Sequence, residues 1–349
     1  MKKILFTGGG SAGHVVPNIA LMEDLLIQGN VDVCYMGTDG IEKRIIGERK
    51  LPFYQIDCPK LIRHGGFAGL KNNLQIPSAF VKAEEQAAEG LRAFQPDAVF
   101  SKGGYVALPV VYAAHKMGIP CFCHESDFSL GLANRLSAGK CKTVFTSFPE
   151  TAKRIKNGKY SGAPMRSSLF RMTKVAARRR LGIPLHAKAV LVFGGGSGSK
   201  VINDALRAHI QELVKSFFVL HVCGKGNMID CNLKNYRQFE FVADMGALYA
   251  AADLVVSRAG SGTVFEILAL KKPAVLIPLE GQTRGDQLEN ARYFAEKGLC
   301  TILRQNELFS LPNVLQTAMH DTALKERLLS SQFISGNPAI LREINLYLS

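Results

Sequence analysis

The chain has 349 residues, 47% hydrophobic and 21% charged, the make-up of a folded globular protein, which excludes a disordered or low-complexity polymer. Its length accommodates two ordinary domains, and its longest apolar runs, such as Phe217–Val222, fall far short of the roughly 20 residues that span a bilayer. With 43 Lys and Arg against 29 Asp and Glu, the formal net charge of +14 points to anionic partners: phosphorylated substrates, nucleic acid or an anionic membrane face. Nucleic acid is the weakest of these, because Trp is absent and no binding motif occurs. Eight dilute cysteines without a C-x-x-C pair argue for a reducing compartment. Met1-Lys2-Lys3 is followed by only Ile4–Phe6 before three glycines, too short an apolar region for a secretory signal.

From the N-terminus, Lys3–Thr7 reads as a buried strand and Gly8-Gly9-Gly10-Ser11-Ala12-Gly13 as a tight loop. A helix follows, with Pro17 in its first turn and Ile19, Met22 and Leu26 on one face. Val31–Met36, Asp97–Ser101 and Pro120–Cys123 read as strands, with helices at Phe80–Phe94 and Leu108–Lys116 between them. Cys121 and Cys123 face one way and precede His124, but the further ligands of a zinc site are not found, so buried apolar thiols are expected. The formula then repeats. Ala189–Phe193 leads into Gly194-Gly195-Gly196-Ser197-Gly198 and a helix from about Lys200, and Phe217–Val222, Asp253–Ser257 and Ala274–Pro278 are strands with helices between them. Alternating strands and helices require crossover connections and parallel sheets. The expectation is an α/β chain of two Rossmann-like, doubly wound domains, 1–163 and 164–333, with a tail of about 334–349 packing back on the first. The break falls in Tyr160–Arg166, where Gly162 and Pro164 interrupt regular structure. Because such sheets bind ligands at the carboxyl ends of their strands, the domains are expected to face each other across a deep cleft. An acid-free band starts near that break: Thr151 to Asn203 holds twelve basic residues.

Gly8-x-Gly10-x-x-Gly13 matches the dinucleotide fingerprint, yet the second strand ends in Met36-Gly37-Thr38, without the acid that grips a ribose. Gly195–Lys200 lacks the glycine before the lysine, and the Ser or Thr after it, that a P-loop needs. What survives is general: bare amides at a helix N-terminus form a site for phosphate. A third loop, Arg258-Ala259-Gly260-Ser261-Gly262, opens a helix Thr263–Leu270 that is apolar on every side except at Glu266. Either Thr263-x-x-Glu266 is a capping box, or the carboxylate accepts from the vicinal hydroxyls of a ribose. No two aspartates are two apart, so the Asp-x-Asp pair of metal-dependent sugar transfer is missing, and helix ends with basic side chains would neutralise a leaving group.

Taken in order, Gly8–His14, Ser101-Lys102-Gly103-Gly104-Tyr105, His124-Glu125-Ser126-Asp127, Gly131-Leu132-Ala133-Asn134-Arg135, Ser161–Arg166 and Arg258–Glu266 resemble the MurG family, glycosyltransferase family 28, over nearly the whole chain. The resemblance implies the GT-B fold and transfer of N-acetylglucosamine (GlcNAc) from UDP-GlcNAc to lipid I, giving lipid II for peptidoglycan. It implies no cofactor and no metal. For the donor it implies Val242 at uracil through backbone, Glu266 at the ribose, and Gln287 at the sugar hydroxyls. Ser261, Gly262, Thr263 and Arg166 then lie around the diphosphate and sugar, with Val264 and Phe265 beside them and Gly195, Gly196 and Ser197 in the second loop. Ser11, Ala12, Gly13 and Asp127 lie towards the transferred sugar and the acceptor pyrophosphate, and Gly103, Gly104 and Tyr105 on the acceptor side. Two departures stand out. Gly196 occupies a position where relatives usually carry serine, so a hydroxyl contact is lost unless Ser197 or Ser199 supplies it, and Asp127 stands where many have asparagine.

The implied reaction is an inverting displacement by the C4 hydroxyl of the muramoyl sugar, which needs a base. His14 sits where a helix N-terminus lowers an imidazole pKa and keeps it neutral; Glu125 is the rival base, or the group that orients His14. The acceptor is lipid-linked, so the protein is expected to lie peripherally on the cytoplasmic face of the membrane. The acid-free stretch Cys58–Ala83 suits an anionic leaflet, with Leu74, Ile76 and Phe80 among Lys60, Arg63, Lys71 and Lys82; a mobile acceptor loop or a core helix explains the same residues. The rival functions are an NAD(P)-dependent oxidoreductase, a UDP-sugar epimerase, and a basic phosphate- or nucleic-acid-binding protein.

Overall fold

Apolar runs without polar alternation bury both faces of a strand, and this requires helices on each side of a parallel sheet. The computed structural model describes residues 1–29, 31–59, 76–196, 198–280 and 286–348. It divides into two units: Met1–Arg166 together with the segment from Ser335 onward, and Ser167–Ile334.

The first unit holds β1 (Lys2–Thr7), β2 (Val31–Gly37), β3 (Phe53–Gln55), β4 (Ala98–Ser101), β5 (Cys121–Glu125), β6 (Thr143–Thr146) and β7 (Gly158–Tyr160). Its helices are α1 (Ala12–Gln28), α2 (Ile41–Gly47), α3 (Ile76–Phe94), α4 (Ala107–Lys116), α5 (Leu132–Ser137) and α6 (Pro149–Lys153). The sheet order is β3-β2-β1-β4-β5-β6-β7, every pair parallel. The second unit holds β8 (Ala189–Phe193), β9 (Phe218–Val222), β10 (Tyr236–Phe239), β11 (Leu254–Ser257), β12 (Ala274–Leu276) and β13 (Thr301–Ile302). Its helices are α7 (Lys174–Arg180), α8 (Lys200–Ala208), α9 (Ile210–Ser216), α10 (Met245–Ala251), α11 (Ser261–Ala269), α12 (Asp286–Ala295), α13 (Leu311–His320) and α14 (Thr322–Ser330). Its sheet runs β10-β9-β8-β11-β12-β13, again all parallel. Both are doubly wound, and the order reverses between β1 and β4 in one and between β8 and β11 in the other.

The long apolar strands match the sequence reading. The short ones, β3, β6, β7, β10 and β13, have two to four residues and carry no run that periodicity detects. On α1, Ile19 and Met22 are buried as expected, but Leu26 is 45% exposed and Leu25 takes the core position instead. The helix stops at Gly29, so its last turn is covered on only one side. Cys121 and Cys123 are buried, and His124 bonds the Gly162 carbonyl at 3.0 Å, so this trio is core rather than a metal site.

The last helix, α15 (Asn337–Leu348), inserts Ile340, Leu341 and Ile344 into the core formed by α1 and one face of the first sheet. Asn337 locks it there. Its Oδ1 accepts from the Met165 N–H at 3.0 Å, while its Nδ2 donates to the Met165 carbonyl at 2.9 Å and to Asp24 at 2.6 Å. Replacing Asn337 by Ala strands both backbone groups of Met165 in the interior. The expected loss is about 2–4 kcal/mol, read as a lower denaturant midpoint for the first unit; an unmoved midpoint would contradict this account.

Candidate active site

Four loops leave the two reversal points at the carboxyl ends of the sheets, where ligands of doubly wound folds bind. In the first unit β1 runs through Gly8–Ser11 into α1, and β4 runs through Lys102–Val106 into α4. In the second, β8 leads through the second glycine loop into α8, and β11 leads through Arg258–Gly260 into α11. The N-caps of α1 and α11, Ser11 and Gly260, give no side-chain cap, and neither helix has an acid in its first turn. Their leading amides, around Ser11, Ala12, Gly13 and around Ser261, Gly262, Thr263, therefore offer donors and a positive dipole end. A Cβ on Gly195, Gly196, Gly260 or Gly262 would meet nothing within 4 Å, so these backbones lie bare. The start of α8 is different. Ser199 caps it by accepting from Ile202 at 3.4 Å, and Arg258 Nη2 donates to the same hydroxyl at 2.9 Å. That hydroxyl is committed to holding the loop, and Ser197 lies outside the described residues.

His14 lies in the first turn of α1, with Nδ1 3.1 Å from the Gly9 carbonyl and 3.0 Å from Ser11 Oγ. A carbonyl only accepts, so Nδ1 carries the proton and Nε2 keeps its lone pair. Burial, then the Lys102 charge, pull the imidazole down to about 4, against smaller upward effects of Asp127, the Gly9 carbonyl and Glu42. The shift favours the neutral imidazole at neutral pH, with burial and Lys102 as its leading causes rather than the helix end that the sequence reading invoked. The Gly103–Gly104 loop packs directly on it: a Cβ on Gly104 would fall 2.5 Å from the Gly9 carbonyl and 3.1 Å from His14 Nδ1. Only glycine permits that approach, and φ is +80° there. Tyr105 lies under Gly10, where a Cβ would come within 2.6 Å of its ring.

Glu125 has another task than the ones expected of it. Its carboxylate accepts from the Asp127 N–H at 3.0 Å, the Gly131 N–H at 2.8 Å and Asn134 Nδ2 at 3.0 Å. It organises the loop after β5, and among the described residues no hydrogen bond joins it to His14. Burial and Asp127 raise its pKa. Asp127 is half-buried in the same loop. Two further charges were not read as site residues. Glu42, fully buried, accepts from the Gly10 N–H at 3.3 Å and from the Thr38 N–H and hydroxyl at 3.1 and 2.5 Å, bracing the first glycine loop from beneath. Lys102, 2% exposed, lies against Gly8.

In the second unit α11 begins at Ser261 rather than Thr263, so Thr263 is no N-cap and the capping-box reading of Glu266 fails. Glu266 accepts from the Tyr249 hydroxyl at 3.2 Å, which steadies the carboxylate. The side chains of Val264 and Phe265 are 1% exposed, with Phe265 edge-on to Phe294 at 5.3 Å, so they pack the core and only their backbone is left for a donor. The Gln287 side-chain oxygen accepts from the Leu279 N–H at 3.0 Å, leaving its Nε2 to donate. Val242 is half-buried in the loop before α10, and Arg166 is the half-buried last residue of the first unit's main segment. Arg258, a residue of the quoted motif not singled out as a site residue, also donates to the carbonyls of Ile277 and Pro278, each at 3.1 Å, and so ties three loops together. Lys71 and Leu74 fall outside the described residues. Ile76 is half-buried, and the ring of Phe80 packs edge-on against Tyr112 at 5.6 Å, which takes part of the expected membrane face into the fold. No helix among the described residues is long and apolar enough to cross a membrane.

Residues 4–146 match the glycosyltransferase family 28 N-terminal domain and residues 189–337 its C-terminal domain. A UDP-N-acetylglucosamine--N-acetylmuramyl-(pentapeptide) pyrophosphoryl-undecaprenol N-acetylglucosamine transferase of Clostridium perfringens (strain SM101 / Type A) is 42% identical over 315 residues, 88% of this chain and 87% of that one. A protein of the same name from Clostridium botulinum (strain Alaska E43 / Type E3) is 43% identical over 316 residues, with the same coverages. The chain belongs to glycosyltransferase family 28. The crystal structure of Acinetobacter baumannii MurG superposes with a TM-score of 0.76 at 26% identity, covering 99% of each chain. The motif resemblance is upheld, and the oxidoreductase reading falls with it. The family 28 chain has no ribose-gripping acid at the end of β2; of the carboxylates just beyond it, Asp39 pairs with Lys43 at 2.9 Å and Glu42 is turned under the loop. Glu42 lies in no quoted motif, and Lys102 lies in one (Ser101–Tyr105) without being singled out, because nothing local marks either side chain. Only the approach of distant segments gives them a role.

The depressed His14 pKa has a measurable consequence. A site that favours neutral imidazole contributes stability present above the unfolded value of 6.5 and lost as pH falls from there towards about 4. NMR titration of the His14 ring should find it neutral at pH 5; a midpoint near 6.5 would contradict the packing described.

Proposed function

We propose that the protein transfers GlcNAc from UDP-GlcNAc to the C4 hydroxyl of the muramoyl sugar of lipid I, yielding lipid II, by an inverting displacement that needs no metal. The observation that carries this reading is the pairing of an uncapped, bare-glycine helix start at α11 with the braced carboxylate of Glu266 five residues along that helix. One receives a diphosphate, the other a ribose. The names of the relatives supply the sugar and the acceptor.

In this mechanism the donor half belongs to the second unit. Uracil pairs with backbone near Val242, the 2′ and 3′ hydroxyls of the ribose donate to Glu266, and the diphosphate lies over the leading amides of α11. Those dipoles stabilise the negative charge that develops as the bond from the anomeric carbon to the β-phosphate oxygen breaks. The acceptor half belongs to the first unit. The C4 oxygen forms the new bond on the opposite face of the sugar, which inverts it, while its proton passes to Nε2 of His14. Gln287 Nε2 donates to a sugar hydroxyl. The protein attaches peripherally to the cytoplasmic face of the membrane through the basic, apolar stretch Cys58–Ala83, where Val81 of α3 is 54% exposed.

Calorimetry with UDP should find binding at least tenfold weaker in Glu266→Ala, with 2′-deoxy-UDP showing a smaller difference between the two proteins. His14→Ala should lower turnover by a factor of about 10²–10⁴ while leaving UDP affinity unchanged. Preference for NAD over UDP, or full turnover in His14→Ala, would overturn the reading.

A further inference from the structure

Lys102 is the least explained charge in the protein. It follows β4, and its N–H donates to the Thr7 carbonyl at 2.9 Å, which fixes it between the ends of β1 and β4. Its side chain runs past Gly8, whose added Cβ would lie 3.2 Å from the Lys102 Cβ, beneath the loop that opens α1. The residue is 2% exposed, yet among the described residues its ammonium has neither a hydrogen bond nor an ion pair. The carboxylates of Glu125 and Asp127 both lie near enough to influence it, but Glu125 is occupied by two backbone N–H groups and Asn134, and neither carboxylate forms an ion pair with the ammonium. Burying a lone ammonium costs a fold heavily, and other buried cations here avoid the cost. Arg178, for instance, pairs with Asp253 at 2.6 Å and donates to the Ala251 carbonyl at 3.0 Å. The charge of Lys102 is felt at His14 in the first turn of α1, and that helix begins with amides that no side chain caps, with Gly13 exposed. A buried cation without a hydrogen-bond partner, close to open amides, is half of a phosphate site.

We propose that Lys102 is the cationic partner of the acceptor's pyrophosphate: its ammonium reaches the phosphate oxygens from below while the amides of Ala12 and Gly13 hold them from above. The identity of the phosphate's owner rests on the transfer reading; the site itself does not. One consequence concerns His14, which faces Lys102, Asp127 and Glu42. The Lys102 charge lowers the proton affinity of His14, so a phosphate that offsets this charge lets the imidazole accept a proton once the acceptor is in place.

The test compares wild type with Lys102→Met and Lys102→Arg. Inorganic pyrophosphate is titrated by calorimetry into protein saturated with UDP, so that the donor site is filled. Wild type should bind it, Lys102→Met should bind at least tenfold more weakly, and Lys102→Arg within about threefold of wild type. UDP affinity should be unchanged in all three. The melting temperature of Lys102→Met should be no lower than that of wild type, because the substitution removes an unpaired buried charge. In transfer assays the KM for lipid I should rise at least tenfold while the KM for UDP-GlcNAc stays put. Wild type that ignores pyrophosphate, or Lys102→Met that binds it equally well, overturns the proposal, as does a loss accompanied by weaker UDP binding and a lower melting temperature. An effect on pyrophosphate without one on lipid I assigns the site to a free polyphosphate and overturns the lipid-linked assignment. If wild type transfers no GlcNAc but Lys102→Met still loses pyrophosphate, the transfer reading fails and the phosphate site stands.

Discussion

The first amides of an α-helix have no acceptor inside the helix, and a protein must cap them, solvate them or offer them to a ligand. At α1 and α11 no side chain caps them, and they are placed at the reversal points of the two sheets. The surrounding architecture keeps these ends in place. The register of β1 against β4 brings Thr7 beside Ser101, and that of β8 against β11 brings Phe193 beside Ser257, so each pair of loops departs from one level. The glycines that follow divide into two kinds. Gly104 is demanded by close packing, whereas Gly195, Gly196, Gly260 and Gly262 guard empty space that a ligand can occupy.

Bare amides are of little use if the loops bearing them wander, and buried polar side chains prevent that. In the first unit Glu42 holds Gly10 and Thr38, and Glu125 with Asn134 holds the loop after β5. In the second unit Arg258 joins the cap of α8 to the end of β12, while Asn203 binds the Cys223 carbonyl at 2.9 Å and His221 at 2.9 Å. Apart from the Asn134 Oδ1, which has no partner among the described residues, these groups are satisfied by backbone or by another buried partner, so they rigidify rather than strain their surroundings. The Lys102 ammonium has no such hydrogen bond, and its charge is felt in the first turn of α1, at His14.

Much of this was legible in the sequence. The long strands, the tandem glycine loops and the motifs of the family are local patterns, and local patterns survive folding. Where tertiary contacts decide, the letters were silent or misleading. Thr263 and Glu266 have capping-box spacing, but α11 starts two residues earlier because Gly260 can serve as its N-cap. Val264 and Phe265 sit beside motif residues in the chain, and only the fold shows that both side chains are buried, Phe265 against Phe294. Glu125 adjoins His124 and looked like a base; only the folded loop shows how many N–H groups it serves. β13 is two residues long, and its pairing with β12 makes it a strand.

The return of α15 has a bearing on biosynthesis. Ile340, Leu341 and Ile344 complete the core that α1 and the first sheet begin, and Asn337 seals the Met165 backbone. A nascent chain emerging from the ribosome therefore holds an unfinished first unit while the whole of the second is being made. The unit encoded later can be finished earlier, and the half-built one must keep its apolar face from straying until α15 arrives.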